Sequence, residues 1–160
     1  MSSLQWSDDL AINVKVIDAQ HKEIIRRLND VVEAGRAGDI SSMRFALFML
    51  QDFLVTHFSC EEELQARAGF PDFTSHRQFH KDFLRTLAEL IDGMKLNGPN
   101  RDFADELAAL AGKWLVSHIK GVDGELGEFI RQEAPELIDF VQGWRLTCFY
   151  AVALGSMRLP

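Results

Sequence analysis

The chain has 160 residues, 47% of them hydrophobic and 26% charged, with 12 Phe and five His. That is one domain with a real core, and it excludes collagen-like, mucin-like and disordered chains. The net charge of −7, from 17 basic and 24 acidic residues, argues against a broad electrostatic footprint for nucleic acid. No stretch approaches the roughly 20 apolar residues of a membrane span. Met1 to Leu10 lacks the basic and apolar regions of a secretory leader. Cys60 and Cys148 make neither a disulfide framework nor a Cys-x-x-Cys zinc pair, so a cytoplasmic protein is expected.

Residues 1–17 form an arm with an isolated Trp6 and no sustained period. A helical pattern runs from Asp18 to about Glu33, with Ile24, Ile25, Leu28, Val31 and Val32 on one side. Gly35 and Gly38 end it. Asp39, Ser41 or Ser42 can cap a second helix, which carries Phe45, Phe48, Met49, Leu50, Phe53 and Leu54 to about Ala68. Gly69-Phe70-Pro71 breaks the chain, and Asp72 to Ser75 offer caps for a third helix reaching about Leu96. A fourth begins near Arg101 and passes through Leu107, Leu110, Ala111, Trp114 and Leu115 to about Gly121. No comparable stretch alternates with period two, so the fold class is all-α: an antiparallel up-down four-helix bundle.

Beyond it, Pro135 suits a helix N1 position, and Leu137, Val141, Trp144, Cys148 and Val152 follow at steps of four, three, four and four. This predicts an extra C-terminal helix. The domain reading is a bundle with its N-terminal arm over 1–131 and a helical extension over 132–160. The extension packs on the bundle or on a partner, with a homo-oligomer or protein contact through 135–155.

The five histidines all fall near predicted helix ends. His21 opens the first helix, His76 and His80 open the third, and His57 and His118 lie near the ends of the second and fourth. In an up-down-up-down bundle these four ends share one level. His57/Glu61 and His76/His80 are i, i+4 pairs, so each pair points one way from its helix. Asp123 lies five residues after His118, off a regular face, and Gly121 and Gly124 could let the helix end or unwind there. Seven ligands exceed the six of one octahedral ion; two octahedra offer roughly twelve positions. Five imidazoles, two bridging carboxylates and a solvent-derived bridge fill about eleven of these, leaving one open. The Glu-x-x-His pairs of ferritin-like bundles and the HExxH zinc motif are absent from the sequence.

Trp6, the run Val16-Ile17-Asp18-Ala19-Gln20-His21-Lys22, His57-Phe58-Ser59-Cys60-Glu61-Glu62, His76-Arg77-Gln78-Phe79-His80-Lys81-Asp82-Phe83 and His118-Ile119-Lys120-Gly121-Val122-Asp123 together resemble the bacterial hemerythrin family over about residues 4–131. The resemblance implies a non-haem di-iron protein, its two iron ions joined by an oxo or hydroxo bridge, with dioxygen as reversible ligand. It implies that His76, His80 and His118 hold one iron. His21 and His57 would hold the other, which keeps the open position, and Glu61 and Asp123 would bridge both. A carrier, store or sensor of dioxygen is expected rather than an enzyme. The alternatives are a di-iron redox enzyme acting on peroxide, nitric oxide or ferrous iron, and a regulatory module acting through its C-terminal helix. Ile24 and Leu115, each three residues from a ligand histidine, are expected to line the oxygen pocket. Cys60 is expected to be a small buried hydrophobe, and the spaced phenylalanines to be core.

Overall fold

The computed structural model describes residues 3–97 and 101–138, and the side chains of 3–93 and 101–138. Four long helices follow the predicted order: α1 (Lys15–Ala37), α2 (Ile40–Ala68), α3 (Phe73–Asn97) and α4 (Arg101–His118). Their ends obey local chemistry. Gly38 and Gly69 close α1 and α2 in the left-handed conformation, at φ 73° and 69°, which glycine adopts without a Cβ penalty. Asp39 caps α2 by accepting from the Ser42 amide at 3.0 Å. The first helix starts three residues earlier than its apolar pattern suggests, because Val14 is already buried at the entrance to the core.

Helix α1 packs on α2 and α4, and α3 packs on the same two, which is the ring of an antiparallel bundle. Leu28, Val31, Leu47, Leu50, Leu54, Phe83, Leu87, Leu107 and Leu115 fill its axis. Not every phenylalanine joins them. Phe53, Phe58 and Phe83 are buried, whereas Phe45, Phe48 and Phe79 are 57%, 63% and 49% exposed. Helix α2 carries apolar residues around most of its circumference, so some must face away from its neighbours.

The fourth helix does not stop at Gly121. It passes through a single π turn, Ile119–Asp123, and continues as α5 (Gly124–Glu133). Pro135 then opens a 3-10 turn, Pro135–Leu137, with Leu137 still in the core. The remainder of the expected C-terminal helix, including Val141, Trp144, Cys148 and Val152, lies outside the described residues.

The arm is tied down at both ends. Leu4 exchanges two hydrogen bonds with the Asn29 side chain, at 3.0 and 2.8 Å. Ile12 donates to Asp18 Oδ1 at 2.8 Å and accepts from Arg131 at 2.7 Å. Leu10, Ile12 and Val14 thereby enter the core alongside α5. Among the described residues no helix is long and apolar enough to cross a membrane.

Close helix approach depends on Gly35. A Cβ there would lie 2.4 Å from the Ala104 Cβ and 2.8 Å from the Met43 Sδ, so α1 and α4 meet on its bare backbone. Gly35→Ala should cost about 1–3 kcal/mol through overpacking. Gly93→Ala, at a helical position with open space around the added methyl, should instead stabilise by about 0.5–1 kcal/mol. Urea denaturation of the two variants checks both signs.

Candidate metal centre

All seven predicted ligand residues meet at one end of the bundle, and none is more than 6% exposed. His21 comes from α1, His57 and Glu61 from α2, His76 and His80 from α3, and His118 from the end of α4. Asp123 reaches them through the π turn. In a regular α-helix a residue five positions on points about 140° away from the first. The wider turn removes most of that offset, and Asp123 Oδ1 lies 3.1 Å from His118 Nε2.

The cluster has two halves. Glu61, His76, His80, His118 and Asp123 place one ligand atom each within 4.8 Å of all the others. Within it, His118 Nε2 stands 3.1 Å from His76 Nε2 and 3.0 Å from His80 Nε2. Asp123 Oδ1 is 3.1 Å from His76, and Glu61 Oε2 is 3.3 Å from His80. The other half is His21 and His57. His21 Nε2 faces the second oxygen of Asp123, Oδ2, at 3.3 Å, and His57 Nε2 faces Glu61 Oε2 at 3.6 Å. Asp123 thus turns one oxygen to each half.

These spacings test whether a cation belongs here. Ligand atoms about 2.1 Å from one ion and at right angles lie about 3.0 Å apart. The closest nitrogen and oxygen pairs match that octahedral edge. Both oxygens of Glu61, both of Asp123 and both ring nitrogens of His21 are buried without a hydrogen-bond partner. Buried polar atoms are almost always satisfied. Lone pairs converging at these distances repel unless protons or cations lie among them, so the residues fit a metal centre.

The protonation behaviour agrees. Burial, with the His21 imidazole beside it, holds His57 well below the ordinary imidazole range. Burial, with His118 and His76, takes His80 down to about 2. Both rings are therefore neutral, as metal ligation requires. Burial and the Asp123 carboxylate push Glu61 well above the usual carboxyl range. Burial opposes the charge on Asp123 as well, but His118, His21 and His76 outweigh it and hold that carboxyl well below its usual range.

Several surrounding residues escape sequence reasoning. Gln20, fully buried, accepts from His57 Nδ1 at 2.9 Å. Glu62 lies 3.2 Å from His80 Nδ1 and accepts from Arg77 at 3.0 Å. Phe58 stacks on His80 at 4.0 Å and Trp114 on His118 at 4.2 Å, which fixes the ring planes. Gln20 and Glu62 each adjoin a ligand in sequence, the one signal that could have drawn attention to them. Cys60 is buried as expected. The chain's other cysteine, Cys148, lies outside the described residues.

Ile24 and Leu115, expected to line an oxygen pocket, are both 3% exposed. They line a cavity of about 10 Å3 with Leu28, Leu50, Leu54, Phe83, Leu87, Ala111 and Trp114. Such an apolar space stays dry.

Residues 13–130 match the family model described as the hemerythrin HHE cation binding domain. The chain belongs to the hemerythrin family. It is 34% identical over 123 residues to a bacteriohemerythrin of Stenotrophomonas maltophilia, covering 77% of this chain and 78% of that one. It is 30% identical over 138 residues to a bacteriohemerythrin of Pseudomonas aeruginosa, covering 86% and 88%. The crystal structure of a wild-type hemerythrin superposes with a TM-score of 0.71 at 27% identity, covering 81% of this chain and 98% of that one.

Stability without metal should fall on mild acidification. Unfolded histidines take up protons near a pH of about 6.5, whereas folded His57 and His80 resist them. The unfolded state therefore binds more protons as pH falls below that value, and folding weakens. Glu61 opposes this by one proton against two, since its folded carboxyl is protonated first. Chelator-treated protein should lose up to about 1.4 kcal/mol per pH unit for the uncompensated proton between pH 6.5 and 5. Thermal melts followed by circular dichroism give the sign, and a melting temperature that rises over this interval would contradict neutral imidazoles.

Proposed function

We propose that this hemerythrin binds dioxygen reversibly at a pair of iron ions, as carrier, store or sensor. The observation that carries the reading is Asp123, whose two oxygens face separate imidazole sets at 3.1 and 3.3 Å. His76, His80 and His118 would hold one iron, His21 and His57 the other, with Glu61 and Asp123 bridging. Two ferrous ions so held supply the reversible two-electron transfer by which dioxygen is kept and released.

The chain's own side chains do the rest. Three imidazoles and two carboxylate oxygens leave little room on one ion, whereas two imidazoles leave an open position on the other. Ile24 and Leu115 would give that side an apolar wall, which would keep water and protons away from the open position. A cavity lined by nine apolar side chains favours binding over turnover. The 132–160 segment is assigned as an extension outside the metal chemistry, because all seven proposed ligands precede it.

Anaerobic iron loading should plateau at two equivalents per chain, and the oxygen-bound visible band should disappear under argon. A plateau at one equivalent removes the dinuclear reading; a band that argon does not reverse removes the reversible one. Leu115→Asn places an amide in the apolar wall, at about 1–3 kcal/mol in stability where it is poorly satisfied. It should speed the decay of that band in air with iron content unchanged, and equal decay rates would relieve Leu115 of that role. A chain ending at Ile138 should retain both irons, measured by metal analysis of its soluble fraction.

A further inference from the structure

Gln20 precedes His21 on α1, yet its side chain serves a different histidine. Its amide is 0% exposed, and Oε1 lies 2.9 Å from Nδ1 of His57, 37 residues away on α2. A carbonyl oxygen only accepts, so Nδ1 of His57 carries the ring proton and Nε2 keeps its lone pair. Nε2 is the nitrogen that faces Glu61, at 3.6 Å. The opposite tautomer would drive an N–H bond into the ligand cluster and leave Gln20 Oε1 without a donor.

The same arrangement recurs across the cluster. His80 also has an acceptor on Nδ1, the Glu62 carboxylate at 3.2 Å, while its Nε2 faces Glu61 at 3.3 Å. Glu62 is itself held by Arg77. His57 and His80 belong to different halves of the centre and reach it from different helices. Each half thus contains one histidine whose orientation is fixed from behind. The acceptor is a neutral amide in one half and a paired carboxylate in the other. His57 has a neighbouring ring in His21, centroids 4.9 Å apart, so a tilt of one would displace the other.

We propose that Gln20 is the positioning residue of the two-imidazole half: it locks His57 in the Nδ1–H tautomer and so aims Nε2 at the metal. The assignment of His57 to an iron rests on the di-iron reading; the tautomer lock does not. The amide joins α1 to α2 at the level of the centre, so the helix that supplies His21 also sets the direction of His57. Loss of the acceptor should weaken this half and leave the three-imidazole half in place. Removal of such an outer partner typically lowers metal affinity 10–100-fold.

The test uses the full chain with Gln20→Leu and Gln20→Met, which remove the acceptor at similar volume, and Gln20→Glu, which retains it. In metal-free protein with 15N-labelled histidine, multiple-bond NMR correlations report the His57 tautomer directly. Wild type and Gln20→Glu should show Nδ1–H, and the Leu and Met variants should populate Nε2–H. Anaerobic iron titration should then show one tight equivalent retained and the second weakened about 10–100-fold in the Leu and Met variants, with Gln20→Glu within a few-fold of wild type. Circular dichroism identifies which variants are folded. An unchanged tautomer and second affinity in a folded Leu or Met variant would overturn the proposal. So would a Gln20→Glu chain as impaired as Gln20→Leu. Wild type that binds a single iron would fail the di-iron reading instead, and the metal-free NMR comparison decides the role of Gln20 without it.

Discussion

Two carboxylates and five imidazoles share a space from which water is excluded, and the rest of the molecule is arranged around that conflict. A desolvated ion costs several kcal/mol unless it is compensated. Imidazoles surround Glu61 and Asp123, and burial keeps those of His57 and His80 neutral. Those two neutral rings offer lone pairs and no charge. Cations are therefore a natural complement of this donor set, and a bound metal would add to what holds this end of the bundle together. The arm contributes from outside, with Leu10, Ile12 and Val14 in the core and Ile12 fixed by Asp18 and Arg131.

The π turn at Ile119–Asp123 shows how a backbone irregularity serves that donor set. A regular α4 would give either His118 or Asp123 to the centre, since the two would diverge by about 140°. One wider turn brings both in and lets the helix continue as α5. The continuation matters in its own right. Gly127 on α5 meets the Ile12 carbonyl, where a Cβ would stand 2.4 Å from the oxygen. The arm therefore seats directly against the helix that the π turn redirects. The π turn thus serves both the donor cluster and the seat of the arm.

Legibility of the site varied with the distance over which each relation acts. His57 with Glu61 and His76 with His80 could be read as pairs because four residues span about one helical turn. The shared level of all five histidines also followed, since four helices with short connections must run up and down. Gln20 with His57 and Glu62 with His80 were not legible. Each pairing crosses between helices, and it depends on rotation about the helix axes, which sequence spacing leaves open. The same limit explains the phenylalanines. Helical spacing made Phe45, Phe48 and Phe79 look like core beside Phe53 and Phe83, but their faces of α2 and α3 turn outward.

By itself the sequence determined the four long helices, their direction, a cap for α2 among Asp39, Ser41 and Ser42, glycine stops near Gly38 and Gly69, and the seven residues at one end. These follow from covalent geometry: 3.6 residues per turn, the left-handed freedom of glycine, and the capping chemistry of a short acidic side chain. Tertiary structure alone decided which face each helix turned inward. It also fixed the form of the break at Gly121, the acceptor behind each of His57 and His80, and the close approach of α1 and α4 at Gly35. Those features depend on axial and rotational register between helices, and register is set by packing many side chains at once.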